Sequence, residues 1–200
     1  MGGLDGKTFS NTFMLQATFN WTGLLIEPNT VMFQDLLVNR PKDLALNAAV
    51  CSQRRTVHFI TERGVNAGAV GGIVEFMATD FVTKWHNRLL DHDNKLIPTE
   101  LAKIPEIDCV PLWSILDTTD IRHIDFFSLD VEGAELEVLN SFPFDTVAVS
   151  IWCVELDGHN EEKDRAVHTL LENNDYVVIE RKGSNVWFKH KNFVPWIKVH

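Results

Sequence analysis

The chain has 200 residues, 45% of them hydrophobic and 23% charged, with a formal net charge of −10. That length supplies one domain able to bury roughly 70% of its unfolded surface, and the composition excludes a disordered, collagen-like or coiled-coil chain. So acidic a chain repels phosphate backbones, so no nucleic-acid partner is expected.

The elements follow in chain order. A helix is expected from about Ser10 to Asn20, because Phe9, Phe13, Ala17 and Trp21 recur at four-residue spacing and form one apolar stripe. Gly23 to Ile26 reads as a short buried strand ending at Glu27-Pro28. Asn29 or Thr30 then caps a helix carrying Phe33, Leu36 and Leu37. Leu44 to Cys51 and Thr56 to Thr61 are strand candidates. Residues 64–108 form a variable insert punctuated by Gly64, Gly68, Gly71 and Gly72. In it, His86 and Asp91-His92-Asp93-Asn94 are expected in solvated loops rather than as ligands. Regularity returns with a short helix over Leu112–Asp117, a strand over Ile124–Leu129 and a helix over Gly133–Ser141 stopped by Pro143. Val147–Val154 is a continuous apolar strand of the doubly buried kind, and Glu162–Asn173 an amphipathic helix. Tyr176–Ile179 and Val186–Lys189 make a terminal hairpin across Gly183-Ser184. Alternation with short links predicts a single α/β domain over residues 1–200, with a mostly parallel sheet, helices on both faces and an antiparallel C-terminal hairpin.

Cys51, Cys109 and Cys153 are too few and too widely spaced for a disulfide framework or a zinc knuckle. Cys51 and Cys109 are expected as buried free thiols, able to pair if the parent protein is lumenal. The longest apolar stretch, Val147–Val154, is far too short to cross a bilayer. The opening segment has no apolar run after a basic one, so it does not read as a signal peptide. The expectation is a soluble domain without membrane contact of its own, cytoplasmic, or lumenal if cut from an anchored parent. Its oligomeric state is not legible.

In open α/β sheets, ligands sit beyond the carboxyl ends of the strands. Three strands end there in acids: Glu27, Asp130 and Glu155. Each alone is as well explained by capping of the next helix; together they suggest a site. Gly2-Gly3-Leu4-Asp5-Gly6 precedes the first helix, where glycines admit a ligand close to the backbone. Glu27 follows Gly6 by 21 residues, the separation at which nucleotide-binding sheets present an acid to ribose hydroxyls. The G-x-G-x-x-G fingerprint is not satisfied, since Met1 stands where its first glycine would be. That disfavours a dinucleotide and an NAD-dependent enzyme, and fits a mononucleoside-like cofactor better.

Gly3-Leu4-Asp5-Gly6 with Ser10-Asn11-Thr12 resembles the first motif of the FkbM-type methyltransferases. Trp21 to Asn29 resembles that family's second block, Ile124 to Glu135 its most specific signature, and Val154-Glu155 the block after it. The resemblance runs from residue 2 to about 190 and is weakest over 64–108. It implies a Rossmann-like fold that uses S-adenosylmethionine, usually to methylate a hydroxyl of a sugar or other small molecule. By that resemblance Gly3, Asp5 and Gly6 lie against the methionine part, and Glu27 binds the ribose. Asp130 faces the cofactor–substrate junction, with Glu132 and Glu155 near it.

A hydroxyl acceptor benefits from a base, for which Asp130, Glu155 or His159 would serve. Asp130, Glu132, Glu155, Asp157 and His159 would also suit a hard metal, but their spacing matches no defined metal motif, so none is assigned. Phe126 and Phe127 are expected in the core. Trp85, Trp113 and Trp187 are expected there too, or along a substrate pocket shaped by the insert. The implied fold has a central strand ahead of Gly2, which is missing from this chain, so a truncated or inactive copy is an expectation. Some animal relatives resemble the protein Star, and a non-catalytic trafficking or partner-binding module is the alternative.

Overall fold

The computed structural model describes residues 1–61 and 70–193. Among them, α1 spans Phe13–Phe19, β1 Leu24–Ile26, α2 Thr30–Asn39, β2 Leu44–Leu46, β3 Ala49–Val50 and β4 Arg55–Ile60. The insert holds β5 (Gly72–Ile73), α3 (Thr79–Trp85) and α4 (Pro98–Leu101), and leads into β6 (Glu106–Val110). Then follow α5 (Leu112–Thr118), β7 (His123–Leu129), α6 (Glu135–Asn140), β8 (Ala148–Glu155), α7 (Glu161–Asn173), β9 (Tyr176–Lys182) and β10 (Asn185–His190).

Three sheets carry these strands: β1-β2, β7-β8-β10-β9 and β3-β6-β4-β5. The β1–β2, β7–β8 and β3–β6 pairs are parallel, whereas β8–β10, β10–β9, β4–β6 and β4–β5 are antiparallel. The architecture is therefore mixed α/β rather than mostly parallel. The terminal hairpin forms across Gly183-Ser184, and β10 lies between β8 and β9.

β7 runs beside β8 in parallel register, from His123↔Ala148 to Leu129↔Val154. This pairing follows from the crossover through α6, which feeds the chain back beside its own starting strand. The main core sits under these strands. Trp152 is fully buried, stacks on Phe127 at 4.3 Å and meets Phe142 edge-on at 5.0 Å. Val138 and Leu139 of α6, and Val167 and Leu171 of α7, pack into the same cluster. Leu112, Ile115 and Leu116 of α5 join them. Asn29, one of the two caps expected from sequence, accepts the amides of Val31 and Met32, and Asn160, which was not anticipated, accepts that of Lys163.

Several expectations change. The strand over Leu44–Cys51 breaks into β2 and β3, which belong to different sheets. Asn47 interrupts it by donating its side-chain amide to the carbonyls of Glu27 and Pro28. The stripe on α1 is not a core face: no residue of α1 is buried, and Phe9, Phe19 and Trp21 are exposed. His86 is not solvated; it is 1% exposed and its Nε2 meets the Val70 carbonyl at 2.8 Å. His92 is exposed, and Asp91 closes a turn by accepting the amides of Asp93 and Lys95. Gly64 and Gly68 lie outside the described residues. Cys51 and Cys109 are joined in a disulfide, with Cα atoms 5.7 Å apart, at the adjoining ends of β3 and β6. Phe127 is core, but Phe126 is half-buried and stacks on Trp187 at 5.3 Å. Trp85 and Trp113 are exposed rather than packed.

Between β1 and β7 the described residues place no strand. Met1–Gly3 bridge the two edges. The Met1 nitrogen donates to the Ser128 carbonyl, the Asp130 amide donates to the Met1 carbonyl, and the Gly3 amide donates to the Ile26 carbonyl. The pair of bonds from Met1 to either side of Leu129 is a parallel ladder step.

Candidate active site

Beyond the carboxyl ends of β1 and β7 lies a cavity of about 650 Å³. Gly2, Gly3, Leu4, Glu27, Asp130 and Glu132 line its polar end. It continues along the facing edges of β1 and β7, past Leu24, Ile26, Ile124 and Phe126. The N-terminal segment and the strand ends thus meet where an α/β sheet offers a ligand site.

The Glu27 carboxylate is 5% exposed. Its Oε2 accepts the Leu4 amide at 2.8 Å, and its Oε1 accepts the Asn29 amide at 2.7 Å. Burial raises its pKa, against the pull of those two amides. The same side chain that faces the cavity therefore ties the glycine loop to the end of β1. Gly2 has φ +70°, and a Cβ there would come within 1.8 Å of the Asp130 carbonyl oxygen. Only glycine lets the loop pass that close to β7.

Asp5 and Gly6 take a different part. Asp5 accepts the amides of Lys7 and Thr8 on Oδ1 and the Thr8 hydroxyl on Oδ2, closing the loop on itself. The Gly6 carbonyl accepts from Arg40, a 3% exposed guanidinium that also pairs with Asp43 at 2.6 Å. Neither Asp5 nor Gly6 lines the cavity, whereas Gly3 does.

The second half of the site is a knot of acids. Carboxylate oxygens of Asp130, Glu132 and Glu155 lie within 4.8 Å of one another. Asp130 and Glu155 lie close enough for each to shift the other's titration. Burial, then the Asp130 charge, pushes Glu155 up to about 8. Burial, then the charges of Asp130 and Glu155, pushes Glu132 up to about 9. At neutral pH Glu132 and Glu155 are thus held mainly in their neutral, protonated form. Burial raises the pKa of Asp130 as well.

The cluster exists because β7 and β8 end side by side, and because Glu132, at φ +52°, bends back over the strand end. Hard oxygen ligands in such an arrangement suit magnesium or calcium in kind. Cys153, beneath them, is buried and pushed up to about 12 by burial and by the neighbouring acids, so it is a protonated thiol and no nucleophile.

His159 sits apart from the pair. Its amide donates to Asp157 Oδ1, its Nε2 lies 3.9 Å from Asp157 Oδ2, and its ring meets Phe81 edge-on. No hydrogen bond or ion pair among the described residues links it to Asp130 or Glu155. Reading the sequence missed Glu135 and Lys163, which form an ion pair at 2.8 Å behind the knot. Their only signal was an acid in the first turn after a glycine, a common capping pattern.

Comparison with curated proteins returns no match, nor does comparison with solved structures. The model of the methyltransferase FkbM domain matches residues 1–178. Its span takes in the glycine loop, Glu27 and all three clustered acids, and by it the chain belongs to the FkbM methyltransferase domain family.

Proposed function

We propose that the chain is an S-adenosylmethionine-dependent O-methyltransferase acting on a hydroxyl of a sugar or another small molecule. The observation that carries this reading is the single cavity bordered by the glycine loop, Glu27, Asp130 and Glu132. The donor set fits the cofactor. Glu27 keeps acceptor capacity for a ribose diol beyond the two amides it binds, and the anionic knot favours a sulfonium and an ammonium group. The cofactor supplies a methyl group on a positively charged sulfur, with a neutral thioether as the leaving group.

Gly2 and Gly3 allow close approach, and Glu27 fixes the ribose. Asp130 holds the acceptor hydroxyl at the junction, aligned for in-line displacement. With the cofactor bound to supply the methyl group, the Asp130 carboxylate would take the proton of the acceptor hydroxyl. Burial raises the pKa of Asp130, which makes it a stronger base for that task, and such a base typically contributes ~10²–10⁴-fold. Glu132, which lines the cavity, would donate a hydrogen bond to the acceptor, while Glu155, which is not among the lining residues, would act on Asp130.

Calorimetry with S-adenosylmethionine tests the reading. The wild-type chain should bind, and Glu27→Ala should weaken binding roughly 10- to 100-fold, as expected for a charge-assisted hydrogen bond. Binding equal to wild type would remove Glu27 from the cofactor site.

A finer fold reading belongs with this proposal. One further strand, parallel to both β1 and β7 and in the register of Met1 against Leu129, would join the two sheets into the continuous sheet of a Rossmann-like methyltransferase. The exposed stripe of α1 and the open edges favour the second reading, a non-catalytic partner-binding module. Wild-type protein that ignores the cofactor while remaining folded would support that module.

A further inference from the structure

Resting on the reading of Asp130 and Glu132 as the acids of the site, we propose that Glu135 is its positioning residue, held in place by Lys163. The turn after β7 is unusual. Glu132 (φ +52°) and Gly133 (φ +104°) both lie in the left-handed region. A non-glycine residue adopts that conformation at a cost, and keeps it only where its surroundings over-determine it.

Glu135 is the determinant. It is 1% exposed, and its Oε1 accepts both the Val131 and the Gly133 amides at 3.2 Å. Those two amides flank Glu132, so one oxygen pins the backbone on either side of it. Its Oε2 accepts from Lys163 Nζ at 2.8 Å, and the Lys163 side chain is 13% exposed. Lys163 is fixed in turn, because its own amide caps onto Asn160 at the start of α7. The neighbouring Asp164 accepts the Gly158 amide, so the first turn of α7 holds the loops that follow both β7 and β8. On the far side, Gly133 packs under the insert, where a Cβ would come within 2.8 Å of the Phe76 carbonyl oxygen. Glu135 touches neither cofactor nor substrate in this arrangement. It acts through the turn that sends the Glu132 carboxyl toward Asp130 and Glu155.

The test uses the full chain with Glu135→Ala, Glu135→Gln and Lys163→Met. Amide hydrogen exchange reads the turn without any ligand, and calorimetry with S-adenosylmethionine reads the site. In Glu135→Ala, exchange at 131–133 should rise ~10-fold or more while the β8 amides stay protected, and cofactor affinity should fall by a similar factor. Glu135→Gln keeps a carbonyl acceptor for the two amides and should recover both readouts to within ~3-fold, a rescue that loss of bulk packing would not give. Where Glu135→Ala does not fold, Lys163→Met decides: loosening confined to 131–133 supports the proposal, and unchanged exchange there overturns it. Native protection in Glu135→Ala, or a Glu135→Gln variant as defective as it, also overturns it. If the wild type binds no cofactor, the exchange results still judge Glu135, and only the proposed function falls.

Discussion

Glu132 should make the protein less stable as pH rises. Its pKa lies near 4.5 in an unfolded chain and is pushed up to about 9 in the fold, by burial and by the charges of Asp130 and Glu155. Between those values the folded state binds a proton that the unfolded state has released, so the unfolding free energy falls with increasing pH. Below the lower value the group is neutral in both states and costs nothing. At pH 7 the cost reaches at most ~3 kcal/mol, taking about 1.4 kcal/mol for each pH unit above 4.5. Glu132→Gln places a permanently neutral group of the same shape in the knot. The variant should exceed the wild type by less than ~1 kcal/mol at pH 5 and by increasingly more toward pH 9. At ~2–4 °C per kcal/mol for a chain of this length, the gain in melting temperature at pH 7 should be roughly 6–12 °C. Thermal unfolding followed by circular dichroism across pH 5–9 checks this. A difference between the two proteins that stays flat with pH would show that Glu132 does not titrate between a neutral buried state and an ionised unfolded one.

Two further outcomes are expected. The disulfide closes a loop with a sequence separation of 58, so replacing Cys51 and Cys109 by serine should cost ~4 kcal/mol by the chain-entropy argument. Unfolded, unreduced protein should show one free thiol, that of Cys153, and finding three would exclude the bond. A six-residue Val/Ile strand joined ahead of Met1 should pair with β1 and β7 and raise the melting temperature by at least ~5 °C; no gain would mean that the gap does not accept a parallel strand.

What the sequence disclosed and what it concealed divide along one physical line. Periodicity and capping are local, so β1, α2, β7, β8, α7 and the terminal hairpin were legible from their own residues. The acids at Glu27, Asp130 and Glu155 were legible too, because strand ends fall on one edge of a sheet whatever its other connections. A local pattern cannot say which element covers which. The stripe of Phe9, Phe13, Ala17 and Trp21 has helical spacing, yet helical spacing does not supply a partner, and the structure leaves Phe9, Ala17 and Trp21 exposed and Phe13 only half-buried. Leu44 to Cys51 is apolar enough for one strand, but Asn47 reaches back to Glu27 and Pro28 and splits it, a bond that depends on residues some twenty positions away. The antiparallel pairing of β4 with β6 spans the whole insert. Glu135 belongs to the same class. In the sequence it is one more acid in a first turn, and it becomes a clamp only because α7 brings Lys163 to it from 28 positions away. A site built from strand ends can therefore be found by reading along the chain, while the residues that hold its side chains at their working angle come from long-range packing and need the fold.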